Sequence, residues 1–203
     1  MTDEVAREVE QLSKEMIDSL ELPRKRLKPM VLMLGGFQGS GKTTVVNELK
    51  DDLDLVLLST DEIRQRLFDK KYALSKKFRE IVVTTTYKVL ENLLELGYSV
   101  ALDRMATPAR IEKVRKLLGR KNLSNYSLVT VYLEASQQEL VRRLNTREDV
   151  IGRYKGTVNE LEASMRQHGK IEKSIYDVVI NTKELDLKTV AKVIKKKTKS
   201  LEL

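Results

Sequence analysis

The stretch Gly36-Phe37-Gln38-Gly39-Ser40-Gly41-Lys42-Thr43 constrains this chain more than any other. It fits the spacing G-x-x-x-x-G-K-[ST]. An apolar run at 30–34 precedes it, and Val45, Val46 and Leu49 follow on one helical face. That context is a strand entering a helix through a glycine-rich turn. Such a turn points its backbone N–H groups inward as a nest for anions. Glycines allow positive φ and the close approach of a phosphate, and the following helix adds its positive end. Lys42 brings a charge to the β- and γ-phosphates, and the Thr43 hydroxyl suits Mg²⁺. The candidate nucleotide-binding residues are Gly36, Gln38, Gly39, Ser40, Gly41, Lys42, Thr43 and Thr44. The expected ligand is a nucleoside triphosphate, ATP with GTP left open, together with Mg²⁺.

Strand and helix alternate after Pro29. The strand candidates are 30–34, 55–58, 99–102, 128–133 and 178–180, each short and rich in Val, Leu or Ile. Strands buried on both faces have that composition. The helices between them are well punctuated. Ser75 is a candidate cap for a helix closed by Gly97, and Thr107-Pro108 opens another. Ser136 with Glu139, and Thr157 with Glu160, have capping-box spacing, and Asp186 can cap the last helix. This alternation predicts a mainly parallel sheet covered by helices, an α/β fold. Ahead of it, Val5, Val9, Leu12, Met16 and Leu20 form one apolar stripe. The stripe predicts a helix that packs on the main body, with a dimer contact as the alternative.

Composition narrows the classes. The 203 residues fit one domain with a small lid, and 41% hydrophobic content supports a packed core. No apolar run is long enough to span a bilayer. The opening MTDEVAREVE is too acidic and polar for a signal peptide, and zero cysteines exclude disulfides and thiolate metal sites. A cytoplasmic location is the expectation. The formal charge of +8 gathers partly at Arg24-Lys25-Arg26 with Lys28, and at Lys195-Lys196-Lys197 with Lys199. Solvated ends explain such clusters, and a nucleic-acid or phosphate-rich partner is also compatible with them.

Two further segments carry chemistry. In LLSTDEIRQRL, Asp61 and Arg64 lie three apart just after the second strand. On a helix they share a face, at the sheet end where open α/β folds bind ligands. Asp61 could take a proton from an attacking hydroxyl, and Arg64 could hold acceptor or phosphate oxygens. The structural alternative is Asp61 as a helix N-cap paired with Arg64. In LVRRLNTRE, Arg143 and Arg147 share a face at i,i+4 after the fourth strand. They could neutralise charge on a transferring phosphoryl group, or form a solvated basic face paired with Glu139.

The loop GFQGSGKTT also looks like that of signal-recognition GTPases. That family needs a DxxG switch and an N/TKxD motif; Thr182-Lys183-Glu184-Leu185 has Leu where Asp should be. Taken together, GFQGSGKTT, STDEIR, VALDRMATPARI, VYLEAS and RRLNTRE resemble the small P-loop kinases related to polynucleotide 5′-kinase, zeta toxin and seryl-tRNA kinase, over about residues 30–182. The resemblance implies a three-layer P-loop NTPase fold with a five-stranded parallel sheet in the order 2-3-1-4-5 and a helical lid. It implies Asp61 as base, Arg64 as a substrate contact, and Arg143 and Arg147 as lid residues. The group often has a D-x-T-N element after the third strand, where this chain reads Asp103-Arg104-Met105-Ala106-Thr107. Asp103 is then a candidate for the Mg²⁺ shell or for orienting Arg64, or a structural strand-end partner, and the acceptor contacts are open.

The expected organisation is an N-terminal amphipathic helix and basic linker at 1–28, and a kinase domain at 29–203 with its lid at about 143–160. The expected activity is γ-phosphoryl transfer from ATP–Mg²⁺ to a hydroxyl of RNA, DNA, a nucleotide or a small metabolite, by a monomer or homodimer. A nucleotide-dependent regulatory or binding ATPase without an acceptor is the alternative. Smaller signals are His168, placed on a polar flank or core edge, the Gly152 to Gly156 segment, a hinged lid tip or a solvent loop, and Thr84-Thr85-Thr86, which interrupts an otherwise good helix pattern and could line the acceptor cleft or simply pack.

Overall fold

The computed structural model describes residues 2–68, 76–146, 157–169 and 171–200. Five strands, β1 Met30–Gly35, β2 Leu55–Ser59, β3 Ser99–Asp103, β4 Ser127–Glu134 and β5 Val178–Asn181, form one sheet. All neighbouring pairs are parallel, in the order β2-β3-β1-β4-β5. The apolar runs read from the sequence are these five strands. β1 lies at the centre and every one of its residues is buried. At the edge, β5 turns Val178 and Ile180 into the second core and leaves Val179, on the opposite face, exposed.

Side chains alternate across a strand, so β1 feeds two cores. Val31 and Met33 face one layer, and Met30, Leu32 and Leu34 face the other. The second layer is α2 Lys42–Leu49 and α8 Leu187–Ser200, through Val45, Val46, Leu49, Val190 and Ile194. On the first face lie α3 Thr60–Phe68, α4 Lys76–Glu95 and α5 Pro108–Leu118. Over α4 lies α1 Asp3–Ser19, whose Val5, Val9, Leu12 and Met16 are buried in the same cluster. The N-terminal stripe thus packs on the body. Lys77 pairs with Glu4 at 2.8 Å, and Lys88 pairs with Glu10, fixing the rim of that contact.

Most local signals behave as their chemistry dictates. Thr157 and Glu160 make the full capping box at the start of α7 Val158–His168. At α6 Gln137–Thr146 only half of it forms: Ser136 accepts from the Glu139 amide at 3.3 Å. Two arginines on the next turn draw the Glu139 carboxylate away. Gly97 has φ 88 and ends α4. The candidate cap Ser75 lies outside the described residues. Thr84-Thr85-Thr86 do not interrupt α4. Thr85 and Thr86 are fully buried, and the Thr86 hydroxyl donates to the Val82 carbonyl at 2.6 Å, satisfying itself within the helix.

Candidate functional site

At the carboxyl ends of the strands a cavity of about 950 Å³ opens between the two layers. Its floor is the loop joining β1 to α2. Gly36, Gly39 and Gly41 have φ of 126, 82 and 96 there. A Cβ at Gly36 would stand 2.5 Å from the Leu133 carbonyl oxygen, and one at Gly39 3.0 Å from that of Leu140. The loop is therefore pressed against β4 and α6 and cannot carry side chains at either point. No side chain caps α2, whose N-cap is Gly41, so its first-turn amides are left to an anion.

Lys42 Nζ donates to the carbonyls of Gly36 and Phe37 at 2.9 and 3.1 Å, bracing its own loop. Burial lowers its ammonium to about 8, and the negative charges of Asp103 and Asp61 oppose that shift. The charges of both carboxylates thus act on the same cation. Thr43 Oγ1 donates to Asp103 Oδ2 at 3.0 Å, which joins the start of α2 to the end of β3.

Asp61 and Arg64 form the adjoining wall. They lie on one face of α3, with Arg64 Nη1 donating to Asp61 Oδ1 at 2.6 Å. The alternative reading of Asp61 as N-cap does not hold, because the cap is Ser59: its Oγ accepts from the Asp61 amide at 3.3 Å. The Asp61 carboxylate is left to the cavity and to Arg64. His168, at the end of α7, also reaches the wall.

Arg143 enters from α6. Its guanidinium donates to the Thr182 hydroxyl at 3.0 Å, the Thr182 carbonyl at 2.8 Å and the Gly39 carbonyl at 3.3 Å. Glu139 holds its Nε at 2.7 Å. The pair of hydrogen-bonding arginines, Arg142 and then Arg143, keeps the Glu139 carboxyl down at about 2. Arg143 is thus tied to the loop itself. Its expected partner Arg147 lies outside the described residues, as does the Gly152 to Gly156 segment. The alternative of a solvated face paired with Glu139 describes Arg142, which makes its two bonds to that carboxylate in the open.

The sequence did not single out Thr182, Arg104 or Arg110. Thr182 belongs to the Thr-Lys-Glu-Leu stretch considered for guanine recognition, and here it anchors Arg143. Arg104 and Arg110 line the cavity beyond Asp61. The signal for Arg104 was its place directly after the strand-end Asp103. Arg110 carried none beyond its charge.

A phosphate loop at the centre of a parallel sheet, with its lysine and threonine turned to a cleft shared by two carboxylates, defines a nucleotide-binding P-loop NTPase. The family model AAA_33, described as an AAA domain, matches residues 31–171, and the chain belongs to that family. Among curated proteins, the cytidine diphosphoramidate kinase of Campylobacter jejuni is 28% identical over 75% of this chain and 86% of its own length. The cytidylate kinase of Sulfurisphaera tokodaii is 24% identical over 81% and 93%. Among solved structures, one from the PezAT chromosomal toxin–antitoxin system of Streptococcus pneumoniae superposes with TM-score 0.57 at 16% identity, covering 90% of this chain and 80% of that one. Shikimate kinase from Bacteroides thetaiotaomicron gives 0.56 at 17% identity, covering 86% and 99%. These structural likenesses carry the fold, and the motif-based resemblance to small P-loop kinases agrees with them. No helix among the described residues is long and apolar enough to cross a membrane.

Proposed function

We propose that this protein is an ATP-dependent phosphotransferase that moves the γ-phosphoryl group to the hydroxyl of a nucleic acid, nucleotide or small metabolite. One observation carries the reading: Asp61 and the phosphate loop line one cavity, with the Asp61 charge bearing on Lys42. Two curated relatives are kinases by name, which supports it. We assign residues 29–203 to the kinase domain and 1–28 to a helix and linker that brace it.

In this reading the loop amides and the start of α2 hold the triphosphate, and Lys42 neutralises its β- and γ-oxygens. The acceptor oxygen attacks the γ-phosphorus while its proton passes to the Asp61 carboxylate. The bond from the γ-phosphorus to the β–γ bridging oxygen breaks, and ADP leaves with that electron pair. Arg64 holds Asp61 in place, and Arg143 and Arg147 face the charge in transfer. Thr43 and Asp103 offer a hydroxyl and a carboxylate 3.0 Å apart, an oxygen donor pair that fits Mg²⁺. Bound there, the ion would neutralise phosphate charge. Among the described residues no group of three or more His, Cys, Asp or Glu gathers for a metal, so phosphate oxygens and water would complete its shell.

The test is a screen with γ-labelled ATP across RNA, DNA, nucleosides, nucleotides and sugars. A kinase labels at least one acceptor class. Release of label only as inorganic phosphate, whatever the acceptor, would instead make the protein a regulatory ATPase.

A further inference from the structure

One part of the cavity wall carries three arginines. Arg64, Arg104 and Arg110 line it, on α3, just after β3, and on α5. Asp61 pairs with Arg64. Arg104 and Arg110 make no ion pair with a carboxylate among the described residues. Arg110 Nη1 donates to the Met105 carbonyl at 2.7 Å, a neutral partner. Arg104 Nη1 is buried and has no hydrogen-bond partner, and the same holds for the nearby Tyr87 hydroxyl. Lys113, exposed on α5, holds its Nζ 3.6 Å from the centre of the Tyr87 ring.

Crowding partly buried cations costs free energy unless an anion comes with them. The strain is visible in the groups themselves. Burial lowers the Arg104 guanidinium to about 10, with Arg110 and Arg64 adding to the shift and Tyr87 and Asp61 opposing it; burial also lowers Arg110, with Arg64 adding and Tyr87 opposing. An arginine is a planar fork that matches an oxyanion, so an unpartnered buried Nη in a cavity wall specifies the missing group. The triphosphate is already provided for by the loop, Lys42 and Arg143. The anion these arginines take therefore belongs to the second substrate.

We infer that Arg104 and Arg110 bind an oxyanion group of the acceptor, a phosphate monoester or a carboxylate, and so select a small anionic molecule whose hydroxyl is turned to Asp61. This rests on the phosphotransferase reading and names its substrate class. The guanidiniums make their bonds to the pendant anion and take no part in the bond changes at the γ-phosphorus. A neutral acceptor would leave the buried Arg104 Nη1 without a partner, which is how the wall disfavours it.

The full-length protein loaded with AMP-PNP and Mg²⁺ is titrated calorimetrically with D-ribose 5-phosphate, D-gluconate and neutral D-ribose. Blocking the phosphate loop with the analogue keeps the probes off it. Either anionic probe should bind at least about tenfold tighter than ribose, and the tighter of the two identifies phosphate or carboxylate. Arg104→Gln and Arg110→Gln should each reduce that preference by about tenfold, and Arg104→Lys should recover part of it. AMP-PNP affinity in the same variants reports that the fold and the loop survive. Equal binding of charged and neutral probes to the loaded protein would overturn the inference, as would a preference that outlasts both Gln variants. Failure of AMP-PNP itself to bind the wild type would instead sink the phosphotransferase reading.

Discussion

Single residues decide whether the loop can hold a phosphate. Gly36 combines φ 126 with a Leu133 carbonyl oxygen 2.5 Å from where a Cβ would sit. Gly36→Ala should therefore add strain on the order of 1–3 kcal/mol and displace the loop from β4. ATP-analogue affinity measured by calorimetry is expected to fall by about tenfold or more. Glu139 offers a pH test. Hydrogen bonds from Arg142 and Arg143 lower its folded pKa to about 2 from an ordinary 4.5. A depressed carboxyl contributes stability that is fully present above the ordinary value and is lost as pH falls toward the folded one. Between pH 4.5 and 2 the urea midpoint of the wild type should drop more steeply than that of Glu139→Gln. Parallel curves would show that this carboxylate does not anchor α6. Residue-scale chemistry was readable where it is local. Asp61 and Arg64, three apart, meet on one turn as expected. Arg143 was readable only as a charge on a helix face, because Thr182 and Gly39 approach it from segments far off in sequence.

At the scale of elements, hydrophobic period was the dependable signal. The five apolar runs became the five strands, since a strand covered on both faces has no polar positions to blur it. The α1 stripe was equally legible, and its burial against α4 follows from four apolar residues spaced by three and four. Leu12 is fully buried in that contact, so Leu12→Ala should cost about 2–5 kcal/mol in chemical unfolding. A change near zero would mean that α1 is loosely held. Caps were less certain. Ser136 and Thr157 carry the same spacing to a glutamate, yet only Thr157 completes the box. The Arg142 and Arg143 guanidiniums outcompete a backbone amide for Glu139 because charge-assisted bonds are the stronger ones. The threonine triplet in α4 misleads in the other direction, since β-branched residues are tolerated once burial and hydroxyl back-bonding hold them.

For the whole molecule, the sheet order brings distant segments to one crevice. β1 lies between β3 and β4, so the loop after β1, Asp103 at the end of β3 and Arg143 from the helix after β4 converge although they are spread over a hundred residues. The cationic wall of Arg104 and Arg110 emerges only at this scale, which is why spacing rules did not find it. The basic clusters at 24–28 and 195–199 also read differently here. Arg24 lies 3.4 Å from Asp54, Lys25 lies 5.1 Å from the Tyr98 ring centre, and Lys195 pairs with Asp52. Part of the net charge is therefore spent on the protein's own surface, and the charge inside the cleft bears more directly on the substrate.

In the proposed reaction a triphosphate held by the loop presents its terminal phosphorus to Asp61. Single-turnover transfer from γ-labelled ATP to the acceptor found in the screen tests it, run beside AMP-PNP titration of wild type and Asp61→Asn. Asp61→Asn should bind the analogue with Mg²⁺ as the wild type does and lose roughly 10²–10⁴-fold in transfer. Transfer at the wild-type rate in Asp61→Asn would contradict it.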